Sequence, residues 1–222
     1  MSTRPVRRNT RERILEAALG MFNRFGEPNV SINSVANDLG ISPGNLYYHF
    51  PSKDSVTEAL VQRHCAELKP LLNSAHQAED VETAWFFVHS LFEHVWQARF
   101  IYRDQNNLLI KTRLLEDLLH DTLEDKIRAF ESLLASLESH GWARFEARNI
   151  KQVAHTMAVV INYWMSFAYV RQPRQALEPD SQQAAVLEGV QNALGVLLPY
   201  LQPTAQSHLT AIMAPYQVTG AE

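Results

Sequence analysis

The sequence predicts an all-α protein with a small helix-turn-helix head on a larger helical body. Three observations carry this. The 222 residues include only eight glycines, and no stretch shows the sustained alternation or the two-residue hairpin signal that argues for a sheet. Apolar residues recur instead at helical spacing through most of the chain. Between Ser31 and Lys53, the run SINSVANDLGISPGNLYYHFPSK reads as two short helices around a glycine turn.

The first helix is expected from about Thr10 to Phe25. Ile14, Ala18, Phe22 and Phe25 form one apolar row with Leu15 and Leu19 beside it, and Gly26 stops it. Ser31 caps a second helix whose Ile32, Val35 and Leu39 share a face. Gly40 takes the left-handed conformation that ends it, and Ile41 plugs the turn. Ser42 caps a third helix with Pro43 at its first position, where a missing N–H costs nothing. Leu46 and Phe50 point back to the preceding helix. That leaves Gly44, Asn45, Tyr47, Tyr48 and His49 on an outward face with hydrogen-bonding and aromatic groups but no carboxylate. Such a layout presents its last helix to a DNA major groove.

Pro51-Ser52 form a turn and cap before a fourth helix, from about Lys53 to Leu68, that ends before or shortly after Pro70. An aromatic helix is next over about 80–100, then a shorter element over 104–112 and a long amphipathic helix over 114–140 ended by Gly141. Residues 148–170 make a further helix, 171–180 a loop with Pro173 and Pro179, and 181–198 another helix. Pro199 and Pro203 break up the segment after it.

The net charge of −4 hides an asymmetry. Residues 1–53 carry seven basic side chains against four acids, and the remainder 13 against 20. A basic end that adheres to phosphate, on an acidic body that does not, fits site-directed DNA binding. Arg8 and Arg11 near the amino terminus and Lys53 after the turn are the candidate phosphate cations. Cys65 is the only cysteine, so an intrachain disulfide is excluded and a reducing, cytoplasmic compartment fits. The opening MSTRPVRRNTRE lacks the apolar core of a signal peptide.

Residues 152–170 contain no Asp, Glu, Lys or Arg and would nearly cross a bilayer. Polar residues within the segment, His155 and Asn162 among them, and basic residues on both sides favour a helix of a soluble protein, buried nearly all round. His89 and Glu93 are four apart but lack the further ligands a metal needs. Nothing resembles a Ser-His-Asp arrangement or a phosphate-binding glycine loop. No enzyme, metal or cofactor is expected.

The segments ILEAALGMFNRFG and VANDLGISPGNLYYHFPSK, within residues 11–53, resemble the amino-terminal domain of the TetR family of bacterial one-component regulators. GEPNV and FEHVWQARFIYRDQNNLL are similar to a subgroup that contains regulators of polyhydroxyalkanoate loci. The resemblance implies a TetR-like all-α homodimer divided into a basic arm (1–9), a DNA-binding head (10–52), a connecting helix (53–70), a ligand-binding and dimerisation body (71–214) and a loose tail (215–222). It implies that Tyr47, His49 and Lys53 hold phosphates or frame the recognition helix, and that Gly44 and Asn45 approach bases or backbone. Ser31 and Ser42 would reach phosphate as caps. The recognition helix departs from the family in carrying no Arg or Lys, so bidentate guanine readout by Arg is absent from it.

The expected function is a ligand-responsive regulator, a repressor by family precedent, that binds a palindromic operator as a dimer and is released by a small, mostly apolar effector. Trp85, Phe86, His89, Phe92, Trp96, Phe100, Asn162, Tyr163 and Phe167 are the candidate ligand residues, and these aromatics either line a cavity or fill a solid core. A fatty-acyl or aromatic compound fits an apolar cavity, and the subgroup resemblance adds an acyl thioester. Ala185, Gly189, Ala193 and Leu197 are the candidate dimer contacts. The alternative is a DNA-bound scaffold on the same fold with no small-molecule inducer.

Overall fold

A computed structural model of the chain describes residues 10–146, 148–173 and 179–214. The head is three helices: α1 (Thr10–Phe25), α2 (Ile32–Leu39) and α3 (Pro43–His49). Ser31 Oγ accepts the Ser34 amide at 3.0 Å and Ser42 Oγ accepts the Asn45 amide at 3.2 Å, so both expected caps form. Gly40 sits at φ 65° and closes α2 with its amide on Ala36 and Asn37 carbonyls. Ile14, Ala18, Phe22, Val35, Ala36, Leu46 and Phe50 fill the space between the three helices.

The body begins with α4 (Lys53–Asn73), whose start is a reciprocal Ser52/Ser55 capping box. α4 runs through Pro70 and ends at Asn73, shortly after that residue as expected. Pro70 lies on the exposed side, so water can serve the carbonyl it leaves unpaired, while Leu68 and Leu72 are buried on the inner side and hold the last turn.

The single aromatic helix expected over 80–100 is broken. α5 (Val81–Gln97) ends, Ala98 takes φ −121° and ψ 37°, and α6 (Arg99–Arg103) begins anew. The cause comes from the head. Asn23 on α1 donates to the Gln97 carbonyl at 2.8 Å and accepts the Phe100 amide at 3.1 Å, replacing helix bonds with a side chain 77 residues away.

Then come α7 (Gln105–Leu109), α8 (Arg113–Ser139), α9 (Asn149–Arg171) and α10 (Gln182–Gly195). α8 packs on α4 and α9, and α10 packs on α5 and α9. A helix not expected among the prolines, α11 (Pro203–Met213), starts on Pro203 itself. It buries Ala205, Leu209 and Met213 and rests against α5. The basic arm with Arg8, part of the 171–180 loop and the tail lie outside the described residues.

α9 is not buried all round. Val159, Tyr163, Phe167 and Val170 are 56%, 48%, 52% and 79% exposed along one outward stripe. It remains long and apolar enough to meet the length test for a membrane span, with 44% of its most apolar window buried.

Candidate nucleic-acid interface

The outward face of α3 is open. Pro43, Gly44, Asn45, Tyr47 and Tyr48 are all exposed, Tyr48 at 86%, and His49 is half-buried with its ring edge-on to Tyr48 at 5.3 Å. Leu46 and Phe50 are buried beneath them, so the helix is anchored by one side and free on the other. Packing under the recognition helix uses neither tyrosine.

Beside α3 lies a hollow of about 610 Å³ lined by Asn29, Ser31, Tyr47, Ser52 and Lys53 among others. It joins the amino-terminal ends of α2 and α4, whose first amides carry partial positive charge. A phosphate strand laid there meets two helix ends, a phenol, hydroxyls and an ammonium. Ser31, Tyr47 and Lys53, which the family resemblance places near phosphate, all line this hollow, whereas Ser52 was expected only as a cap and Asn29 not at all. The Ser52-x-x-Ser55 capping pattern was the available signal.

Two of the cations are already engaged. Arg11 holds its guanidinium over the Phe50 ring at 4.8 Å, pinning it at the edge of the head. Lys53 Nζ lies 3.3 Å from Glu27 Oε1, so it is not a free surface charge waiting for phosphate. Glu27 itself is fully buried between head and body. Its carboxylate accepts from Lys111 at 2.8 Å, Thr57 at 3.4 Å and Asn107 at 3.4 Å, while its amide donates to Asp104 at 3.0 Å. Lys111 also reaches Asp54 at 3.1 Å. Burial alone would lower the Lys111 ammonium, but the Glu27 and Asp54 carboxylates outweigh it and the net shift is upward. The head is thus tied to α4, α7 and the segment after α7 by one carboxylate.

The expected ligand residues do not form one site. Phe92, Trp96 and Phe100 are solid core, each no more than 2% exposed. Tyr163 and Phe167 belong to the outward stripe of α9. Trp85, Phe86 and His89 line a surface cleft of about 600 Å³ between α5 and α10, with His89 stacked on Trp85 at 4.8 Å and Glu93 and Asp180 on its rim. Asn162 is buried in a separate polar cluster between α8 and α9, where it accepts from Lys126 at 3.0 Å. Periodicity could not divide them, because α5 has neighbours on several sides and helical spacing does not say which is solvent.

The expected dimer contacts are corrected too. Ala185, Gly189, Ala193 and Leu197 all face inward. Gly189 lies against the Phe92 ring so closely that a Cβ there would collide with it. Small residues on α10 therefore let α5 approach within the same chain, and a partner would meet other side chains.

A three-helix head joined through a long helix to an all-α body is the architecture that the sequence resemblance implies for a one-component DNA-binding regulator. Comparison with known proteins agrees. The model of "Bacterial regulatory proteins, tetR family" matches residues 14–60, and that of "Bacterial transcriptional repressor" in the TetR group matches residues 63–209. The chain belongs to the TetR family of bacterial regulatory proteins.

Among curated proteins it is similar to the HTH-type transcriptional regulator UidR of Escherichia coli K12, 32% identical over 88 residues, covering 37% of this chain and 45% of the relative. It thus spans less than half the length of that relative. A TetR-family regulator from Marinobacter aquaeolei VT8 has the same fold at a TM-score of 0.82, with 25% identity, 95% of this chain and 100% of the other covered. SmeT, the repressor of the Stenotrophomonas maltophilia multidrug efflux pump SmeDEF, superposes at 0.60 with 19% identity, covering 89% of this chain and 93% of the other. SmeT has also been solved as a triclosan complex.

Proposed function

We propose that this protein is a dimeric, ligand-responsive repressor of a palindromic operator, released by a small, mostly apolar effector and acting in the cytoplasm. The observation that carries the DNA reading is the free outward face of α3, uncharged and flanked by capped helix ends. With no Arg or Lys on α3, base readout falls to Asn45, the tyrosines and DNA shape, and affinity to phosphate contacts around the hollow.

The dimer reading rests on the α9 stripe. Val159, Tyr163, Phe167 and Val170 form an apolar line on the side of α9 near the exposed Ala184 of α10, a face that water covers poorly and a second copy would cover well. A two-fold axis through such a face would set two recognition helices about 35 Å apart, one turn of B-DNA. The effector reading rests on the Glu27 junction and the triclosan complex of SmeT. A ligand that favours a body geometry incompatible with that spacing must weaken operator binding as much as the operator weakens ligand binding.

The test is a mobility-shift titration on the DNA beside its own gene, with and without acyl and aromatic compounds, at several salt concentrations. Tyr47→Ala is expected to weaken binding to all sequences, and Asn45→Ala to change sequence preference as well. Equal affinity for every duplex at low salt would remove the DNA reading. If no compound altered operator affinity, the ligand-free scaffold would be the better description.

A further inference from the structure

Where α4, α6, α7, α8 and α9 converge, the interior holds a cluster of buried polar groups. Lys126 of α8 is 2% exposed, and its ammonium donates to Asn162 Oδ1 at 3.0 Å and lies 4.5 Å from the Tyr102 ring centroid. Asn162 in turn donates to Gln105 Oε1 on α7 at 2.8 Å. The Tyr102 hydroxyl and His64 Nε2 share a hydrogen bond of 2.8 Å, and Thr122 donates to Cys65 Sγ at 3.1 Å. The titratable groups around Lys126 are His64 and Cys65 of α4, His94 of α5, Tyr102 of α6 and, near Cys65, Asp125 of α8.

Among the described residues no carboxylate forms an ion pair with Lys126. A buried ammonium with three donors here meets one amide oxygen and one ring. Burying such a group without a counter-ion is unfavourable, and desolvation lowers the Lys126 ammonium to about 7 and the His64 imidazolium to about 3. A core held together only for architecture would use apolar side chains at this place. The groups present share one property: ammonium, phenol, primary amide and threonine hydroxyl all can donate to an anion.

We propose that Lys126, with Asn162 and Tyr102, is the receptor for the negatively charged head of a small organic acid whose apolar body lies among the neighbouring leucines of α8, and that the acid enters past Gln105. This rests on the effector reading under Proposed function and gives it a chemical class. Leu119 and Leu115 are buried about one and two turns from Thr122 on the same helix, and Ile161 and Met165 flank Asn162 on α9. Gln105 is half-buried and sits on a helix of only five residues.

The same helix gives the signal a route. An anion on Lys126 competes for the amide that Asn162 offers Gln105, releasing α7 from α9. α7 carries Asn107, and Lys111 comes just after it, both bonded to Glu27 at the base of the head. Displacing α7 loosens the carboxylate that positions Lys53 beside the DNA-facing hollow.

The experiment is calorimetry on the full chain at pH 8 with decanoate and 2-naphthoate, each compared with its neutral analogue, 1-decanol and 2-naphthalenemethanol. At least one carboxylate is expected to bind about tenfold or more tightly than its alcohol. Repeating the titration in buffers of different ionisation enthalpy should show uptake of roughly one proton per site, because the anion re-protonates Lys126. Lys126→Met should abolish the preference for the carboxylate and the proton uptake, and Lys126→Arg should keep the preference. The wild-type proton uptake needs no variant to fold.

Equal binding of acid and alcohol, absence of proton uptake, or an unaltered Lys126→Met would each overturn the site. So would failure of both acids to bind a protein that still binds its operator, which leaves the regulator reading intact. Binding with proton uptake but no change in operator affinity would establish the site and remove its role as the switch.

Discussion

Replacing Lys126 by methionine should make the ligand-free protein more stable near neutral pH, the reverse of what deleting a buried hydrogen-bonded side chain usually does. Desolvation brings this ammonium from 10.5 to about 7. At about 1.4 kcal/mol per pH unit, the folded state forgoes on the order of 4–5 kcal/mol at pH 7 that the unfolded chain retains by staying protonated. Methionine restores an apolar interior of similar length and keeps a favourable contact with the Tyr102 ring. Against this, Asn162 Oδ1 loses its donor, a cost of about 1–3 kcal/mol. The net expectation is a gain of about 1–4 kcal/mol.

The sign with pH depends on where the protons are. The folded-state pKa of Lys126 lies below the unfolded one, so between about pH 7 and 10.5 the unfolded wild type binds more protons than the folded. Wild-type stability therefore rises through that window relative to the variant, and the variant's advantage shrinks as the pH is raised. Urea unfolding followed by circular dichroism at fixed protein concentration, at pH 7 and pH 9.5, measures both quantities. A variant less stable than wild type at pH 7, with a difference that does not change at pH 9.5, would refute the account of Lys126 as a desolvated, counter-ion-free group.

His64 makes a related prediction with its own window. Its folded pKa of about 3 lies below the ordinary 6.5, so its contribution is complete above pH 6.5 and declines as the pH falls toward 3. His64→Gln should flatten the acid limb of the stability profile, and a limb unchanged by the substitution would count against that assignment. Glu27→Gln leaves Lys53 and Lys111 without their shared carboxylate. A loss of about 1.5–3 kcal/mol is expected in the urea midpoint, with weaker operator binding in shift assays. Asn23→Ala leaves the Gln97 carbonyl and the buried Phe100 amide without the side chain that serves them, and about 2–4 kcal/mol should be lost by the same measurement. Phe167→Asp places a charge on the exposed α9 stripe and should yield a folded monomer in analytical ultracentrifugation. A dimer of undiminished affinity would place the interface elsewhere.

The head was legible in the sequence because its determinants are local. Ser31 and Ser42 cap amides three residues on, Gly40 supplies a positive φ, and Leu46 and Phe50 fall on one side of a seven-residue helix. Those interactions act within a turn or two, where spacing and residue type are sufficient. The same locality located most of the body's helices and the exposure of Asn45, Tyr47 and Tyr48.

Spacing was insufficient wherever a distant residue set the outcome. Asn23 breaks the aromatic helix at Gln97 from 74 residues away, Pro70 is tolerated because it faces water, and Lys53 is drawn to Glu27 across a chain reversal. The candidate ligand and dimer residues scattered for one reason: a helix with apolar groups on several faces has several choices of neighbour. Gly189 meets Phe92 of its own chain, whereas Phe167 meets solvent, and no periodicity distinguishes them. Local hydrogen bonding and helix capping are written in the order of residues, so the sequence alone determined the three-helix head and most of the body's helices. Which helix faces pair, and where an ammonium is trapped without a carboxylate, depend on three-dimensional packing, and that only the tertiary structure decided.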